Sequence, residues 1–209
     1  MGYKALLLFG APGSGKETQG HILGAIPGFF YCASSDVFRA VDIRSKFGKA
    51  FLDYSSKGQH VPDDVTAGLW TAQIDSMVQS GHFKPEVDFL VLDGIPRNLS
   101  QAKILVSTLD VLRIFHLQCK DKGKVYDRLK RQALRENRLD DINEEIIQQR
   151  LHLYEEETAP VLEFYGPKLT TNVNADQWPY QILHDILNDI EHFRDMPEDY
   201  EKGTKHEWH

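Results

Sequence analysis

The sequence has little of what would place it in several large protein classes. It has two cysteines, Cys32 and Cys119, too few for a disulfide-stapled fold or for four-thiolate zinc chemistry. Each sits in an apolar run, so buried, reduced thiols and a cytoplasmic location are expected. No apolar run approaches the ~20 residues that cross a bilayer. The N-terminal run Tyr3–Phe9 stops at Gly10 with no small-residue cleavage site behind it, so it reads as a buried strand rather than a signal peptide. Gly2 is followed by Leu6 where N-myristoylation needs Ser or Thr. Positive charge is in deficit, with 24 Lys and Arg against 31 Asp and Glu and a net charge of -7. That balance argues against general nucleic-acid binding, which needs a basic face for the phosphate backbone.

What is present fits one domain: 209 residues, 41% hydrophobic and 26% charged, long enough to bury a core unaided. Short apolar runs at Tyr3–Phe9, Phe29–Ala33, Asp88–Asp93, Val111–Gln118 and Lys168–Val173 alternate with longer periodic stretches. The first, third and fourth read as strands buried on both faces, the habit of parallel sheets. Asp63–Ser80 spaces Val65, Leu69, Ala72, Ile74 and Met77 at helical intervals, and Asn143–Phe164 does the same with Ile146, Ile147, Leu151, Tyr154, Val161 and Leu162. This order is that of an α/β fold with right-handed crossovers. Glu191–His209 is polar and acidic and reads as a solvated tail.

The strongest local signal follows the first strand: Gly10-Ala11-Pro12-Gly13-Ser14-Gly15-Lys16-Glu17-Thr18-Gln19. G-x-x-x-x-G-K between a strand and a helix is a phosphate loop. Its glycines let backbone N–H groups converge on phosphate oxygens, Lys16 adds a point charge, and the following helix offers its positive end. The hydroxyl that usually follows the lysine is displaced by one residue, to Thr18.

At these residues the chain resembles the adenylate kinases, whose loop reads G-x-P-G-x-G-K-G-T-Q. Four further stretches match in order: Ser34-Ser35-Asp36-Val37-Phe38-Arg39 with T-G-D-x-x-R; Gly58-Gln59-His60-Val61-Pro62-Asp63 with G-x-x-V-P-D; Asp93-Gly94-Ile95-Pro96-Arg97 and Gln101 with D-G-F-P-R-x-x-x-Q; and Arg138-Leu139-Asp140-Asp141 with Arg150 for the lid and its following helix. The resemblance spans about residues 3–190 and identifies the chain as a member of the nucleoside monophosphate kinases of short-lid type. It implies a three-layer P-loop NTPase fold with a central five-stranded parallel sheet. A helical acceptor-binding part would lie at about 34–80 and a short lid at about 128–141. Residues 1–190 would form the kinase domain and 191–209 the tail.

The implied reaction is ATP + AMP giving two ADP, with Mg²⁺, in a monomer that binds neither nucleic acid nor membrane. The catalytic residues it implies are Lys16, Arg97, Arg128, Arg138 and Arg150. ATP would meet Gly10, Pro12, Gly13, Ser14, Gly15, Lys16, Glu17, Thr18 and Arg128. AMP would meet Ser34, Arg39, Val61, Gly94, Arg97, Gln101, Arg138 and Arg150. These residue types suit the chemistry, because phosphoryl transfer is chiefly positioning and charge stabilisation and the planar fork of arginine matches phosphate. Asp93 closes the strand Phe89–Asp93, the usual place for a carboxylate that holds Mg²⁺ partly through water. The resemblance sets Gln101 where adenylate kinases read the adenine edge with an amide that accepts and donates together, and where uridylate–cytidylate relatives tend to carry Asn, so it favours AMP.

Three departures stand out. Glu17 occupies a family glycine; pointing outward it complements the helix dipole, and pointing inward it repels phosphate. Ser35 also replaces a glycine. Gln132 stands where the family often has a second lid arginine, with Arg131 and Arg135 beside it. Two other readings therefore stay open: a uridylate–cytidylate kinase, and a nucleotide-binding protein of reduced activity. Residues 120–138 hold eight Lys and Arg against three Asp and Glu, so positive charge is gathered in the arm expected to close over the triphosphate.

Overall fold

The computed structural model describes residues 2–39, 41–56, 61–135 and 144–192. The apolar N-terminal run forms β1 (Tyr3–Gly10), buried from Ala5 onward. Side chains alternate across a strand, so β1 feeds two cores at once. Ala5, Leu7 and Phe9 enter one apolar cluster, and Leu6 and Leu8 enter another. A strand apolar on both faces must be covered on both, and that places it in the middle of a parallel sheet.

The remaining strands are β2 (Phe29–Ala33), β3 (Phe89–Asp93), β4 (Leu109–Gln118) and β5 (Thr170–Asn174). All pair in parallel, in the order β2-β3-β1-β4-β5. The helices are α1 (Lys16–Gly24), α2 (Ser34–Arg39), α3 (Lys46–Ser56), α4 (Asp63–Gln79), α5 (Leu99–Leu105), α6 (Lys122–Arg135), α7 (Glu144–Tyr165) and α8 (Pro179–Ile190). Trp70 and Ile74 of α4, Leu105 of α5 and Val161 of α7 close the first cluster. Leu23 of α1 and Ile182, Ile186 and Ile190 of α8 close the second. The expected three-layer α/β arrangement with a five-stranded parallel sheet is thus the observed one. Each such side chain, fully buried, contributes about 1.5–3 kcal/mol.

A third, smaller cluster of Val125 and Leu129 from α6 and Ile147 from α7 gives the expected arm its own core. Residues 136–143 lie outside the described residues, and with them Arg138, Asp140, Asp141 and the far part of the 128–141 lid. So do Gly58, Gln59 and His60, residues 193–209 of the tail, and the side chains of Arg39 and Arg135. Among the described residues no helix is long and apolar enough to cross a membrane.

One expectation is corrected. Both cysteines are free and Cys32 is buried, but Cys119 is only half-buried. The chain leaves the sheet after β4, so Cys119 sits at the margin of the core, and its thiol donates to Asp176 Oδ1 at 2.8 Å.

The sheet order fixes where a ligand can sit. From β1 the chain crosses to β2 on one side, while β4 lies on the other, so the order reverses at the carboxyl end of β1. A crevice opens at such a switch point, outside the carboxyl ends of the strands. Its wall depends on close packing of α1 on β2. A methyl carbon at Gly20 would stand 2.0 Å from Tyr31 Cε2. Gly20→Ala is therefore expected to lower stability by about 1–3 kcal/mol, read as a fall in the urea midpoint at unchanged slope; an unaltered midpoint would contradict this packing.

Candidate functional site

The loop that leaves β1 turns tightly into α1. Gly15 takes φ 98° as the residue capping α1, a left-handed conformation that a side chain disfavours. Inside the loop the Lys16 ammonium donates to the carbonyls of Gly10 (2.6 Å) and Ala11 (3.2 Å). An ammonium has three donors, so one remains for a ligand. Burial lowers the Lys16 pKa, and the neighbouring Asp93 carboxylate works against that loss of charge. Ser14 is fully buried, and its Oγ has no hydrogen-bond partner in the protein. A buried hydroxyl without a protein partner, in a glycine-rich loop at a helix N-terminus, suits a phosphate oxygen.

Asp93 ends β3, where it pairs in register with Leu8 of β1 and Ala33 of β2. Burial raises its pKa, while Lys16 pulls it down and Glu17 pushes it up. The Tyr31 hydroxyl, on β2, donates to Asp93 Oδ2 at 3.4 Å. Tyr31 is itself pushed well above the ordinary tyrosine range, first by burial and then by Asp93. Gly94 follows with φ 75°, and a Cβ there would lie 2.6 Å from Ser34 Oγ. Only glycine both adopts that turn and leaves room for the hydroxyl. Arg97 then projects from the turn before α5, exposed and on the cleft wall.

These elements surround a cleft of about 1280 Å³. That exceeds the ~300–1,000 Å³ usual for one small-molecule site, so it has room for two ligands. Six cations line it: Lys16, Arg97, Lys124, Arg128, Arg131 and Arg150. They come from α1, the β3–α5 turn, α6 and α7, so tertiary structure gathers what the sequence spreads over more than half the chain. Gly10, Pro12, Gly13, Ser14, Gly15, Glu17, Thr18, Ser34 and Gly94 also face it. Val61 and Gln101 are not on its wall. Gln101 is 6% exposed, its Oε1 accepting from the Arg97 backbone N–H at 2.9 Å and its Nε2 donating to Asp63 Oδ1 at 2.8 Å.

The arm is tied to the core at its root. Asp176, in the turn after β5, accepts from the Lys120 N–H at 2.9 Å and from the Cys119 thiol. Those bonds hold its carboxyl below the usual carboxylate range, while burial and the same contact push the Cys119 thiol up to about 11. Arg128 Nη1 donates to the Ala175 carbonyl at 3.0 Å. Two of the three departures from the family pattern meet here. Gln132 Nε2 donates to Glu17 Oε2 at 3.3 Å, and His21 Nε2 lies 3.8 Å from Glu17 Oε1. The Glu17 carboxylate, half-exposed, thus turns toward α6 at the edge of the cleft rather than into the loop. Of the two arginines beside Gln132, Arg131 reaches the cleft.

Sequence reasoning missed Tyr31, Lys124, Asp63 and Asp176 as parts of the site. Asp63 closes the G-x-x-V-P-D stretch and the other three carry no local motif; all four meet their partners only through the fold. Among the described residues no cluster of three or more His, Cys, Asp or Glu could hold a metal by itself. Asp93 is a single carboxylate beside the loop.

The profile of the adenylate kinase family matches residues 8–170. Among curated relatives, the chain is similar to the adenylate kinase of Parabacteroides distasonis, 33% identical over 166 residues, covering 77% of this chain and 83% of that one. It is 36% identical to the adenylate kinase of Thermobifida fusca over 165 residues, with the same coverage. The adenylate kinase of a Synechococcus species aligns over 196 residues at 31%, covering 90% of this chain and 97% of the relative. With the parallel sheet, the phosphate loop and the ring of cations already described, these matches establish that the chain belongs to the adenylate kinase family, enzymes of phosphoryl transfer among adenine nucleotides.

Proposed function

We propose that this chain catalyses ATP + AMP ⇌ 2 ADP, and that it does so as a monomer, since the fold must open and close around two ligands. The observation that carries the reading is the convergence of six cations on a two-ligand cleft whose floor is a phosphate loop. In the forward direction an oxygen of the AMP phosphate forms a bond to the γ-phosphorus of ATP. The bond from that phosphorus to the β,γ-bridging oxygen breaks, and ADP leaves. The protein's task is to align the two oxygens and to neutralise charge as it spreads over the transferring group.

The donor triphosphate is assigned to the loop, from Gly10 to Thr18, with Lys16 on the outer phosphates and Arg128 above them. The acceptor is assigned to the side of Ser34, Arg39, Val61, Gly94, Arg97 and Gln101, within the helical part 34–80 and the turn that follows β3. Arg150, with Arg138, is assigned to the transferring group between the two. Mg²⁺ bound to the nucleotide phosphates would be met by Asp93, through water. A largely buried carboxylate within reach of the Lys16 charge suits an ion that takes most of its ligands from phosphate and water. The ion would offset phosphate charge there.

Coupled assays of the purified protein with AMP, UMP and CMP as acceptors test the reading, with AMP expected to be used best; preference for a pyrimidine acceptor would replace it. Arg97→Ala removes a bidentate, charge-assisted phosphate contact worth a few kcal/mol. It is expected to lower kcat/KM for AMP by about 10²–10⁴-fold while the unfolding midpoint stays within error of the parent. Unchanged turnover would refute the acceptor assignment. Glu17→Gly removes a negative charge whose field reaches both Lys16 and Asp93. The KM for ATP is expected to fall by about two- to tenfold, most at low salt, whereas a rise would mean that the carboxylate serves binding.

A further inference from the structure

The acceptor side contains a part-buried polar cluster that joins two of the sequence motifs, each of which by itself assigns no partner to Asp63. Asp63 stands in the first turn of α4, and a single oxygen of its carboxylate, Oδ1, accepts from Gln101 Nε2 at 2.8 Å and from Asn98 Nδ2 at 3.0 Å. Asn98 in turn caps α5, its Oδ1 accepting from the Gln101 N–H at 2.9 Å. Gln101 Oε1 accepts from the Arg97 N–H at 2.9 Å.

The amide of Gln101 is therefore held at both ends by groups of fixed character. A backbone N–H can only donate and a carboxylate can only accept. Rotating the amide by half a turn would set its oxygen against the carboxylate and its NH₂ against the Arg97 N–H, two repulsions in place of two hydrogen bonds. At 6% exposure water cannot readily take over these bonds, so leaving one unmade is costly. The amide keeps one N–H and one lone pair beyond those already used, and their directions are set by the other two.

We propose that Asp63 is the positioning residue of the acceptor subsite: its carboxylate fixes the polarity of the Gln101 amide and, through Gln101, holds the backbone of Arg97. The inference rests on the reading of Arg97 and Gln101 as acceptor-side residues. Asp63 is not among the residues that line the cleft. It links α4, in the helical acceptor-binding part, to the cap of α5 in the core, across 38 residues of sequence. Loss of the carboxylate frees the amide to rotate and removes the restraint on the turn that carries the Arg97 guanidinium. Donor binding, on the far side of the loop, does not depend on this cluster.

The test compares KM for AMP and for ATP in Asp63→Leu, Asp63→Asn, Asp64→Leu, Gln101→Leu and the Asp63→Leu/Gln101→Leu double variant. Asp63→Leu is expected to raise the KM for AMP about tenfold or more, the measure of one lost hydrogen bond to a charged group, with the KM for ATP within about twofold of the parent. Asp63→Asn keeps one carbonyl oxygen as acceptor and restores most of the AMP affinity. The double variant is no weaker for AMP than Gln101→Leu, because the two residues act as a unit. Asp64→Leu removes the neighbouring exposed charge from the same helix terminus and leaves both KM values unchanged, which separates positioning from a helix-dipole effect.

Equal rises in both KM values, additive effects in the double variant, or an unchanged KM for AMP in Asp63→Leu would each overturn the proposal. If Asp63→Leu does not fold, Asn98→Asp takes its place. That change keeps an acceptor for the α5 cap but opposes Asp63 with a second carboxylate, and the same selective rise in KM for AMP is expected, an unaltered value overturning the proposal. If Gln101→Leu and Arg97→Ala both leave the KM for AMP unaltered, the acceptor-side reading itself falls. If those two raise it and Asp63→Leu does not, only the role of Asp63 falls.

Discussion

The structure turns on one buried charge. Taking an ammonium out of water is expensive, and Lys16 is held inside the loop that leaves the central strand. Two carbonyls of its own loop and the field of Asp93 offset part of that cost. Asp93 can supply its field only because β3 lies beside β1 with Asp93 in register with Leu8. A slip of one residue along β3 would turn the carboxylate to the opposite face of the sheet and exchange Phe89 and Val91 with Leu90 and Leu92 between two cores packed for different side chains. Hydrophobic burial therefore sets the register, and the register places the counter-charge. A sheet apolar on both faces is what sets a lysine beside a carboxylate that favours its charged form, where phosphate will arrive.

Legibility from sequence follows the range of the interaction that determines each feature. β1 and β3 were readable because a run such as Leu6-Leu7-Leu8 or Leu90-Val91-Leu92 has no polar side to expose. The phosphate loop was readable because its geometry is local: Gly15 must take a left-handed φ, and Lys16 bonds carbonyls five and six residues away. The edge strands β2 and β5 were harder. Their burial is uneven, and β5, Thr170–Asn174, carries two asparagines and begins two residues later than the apolar pattern suggests. Cys119 misled because its apolar context is that of β4, which ends one residue earlier. Tyr31 with Asp93, Asp63 with Gln101 and Cys119 with Asp176 are separated by 62, 38 and 57 residues. No spacing rule reaches so far.

The departures from the family pattern make better sense together than singly. A carboxylate at position 17 beside bound phosphates would be unfavourable if it faced inward. A cation at position 132 facing it would neutralise it, but that cation would then be committed to Glu17 rather than to a ligand. Gln132 answers with a neutral donor at 3.3 Å, while Arg128 and Arg131, on the same helix, stay on the cleft wall. The overall charge has the same logic at larger scale. The chain is acidic as a whole and basic from 120 to 138, so its field favours the approach of a polyanion to one arm rather than to the surface at large.

That arm is also the part best suited to move. The sheet's two clusters each bury a dozen or more residues, whereas α6 and α7 share a core of three, Val125, Leu129 and Ile147. Free energies of local opening scale with such burial, so the arm belongs to the least stable part of the fold. At its root α6 is held by polar contacts, Asp176 accepting from the Lys120 N–H and the Ala175 carbonyl from Arg128, while Val161 seats the far end of α7 in the first cluster. Hydrogen bonds of this kind contribute only about 0.5–1.5 kcal/mol net, and the group that makes the second is itself a cation on the cleft wall. A triphosphate in the cleft offers Arg128 a charged acceptor in place of a carbonyl. On the proposed donor assignment, the ligand would compete for the contact that ties α6 to the β5 turn, and the energy gained at the phosphate would be available to move the arm and exclude water from the transfer.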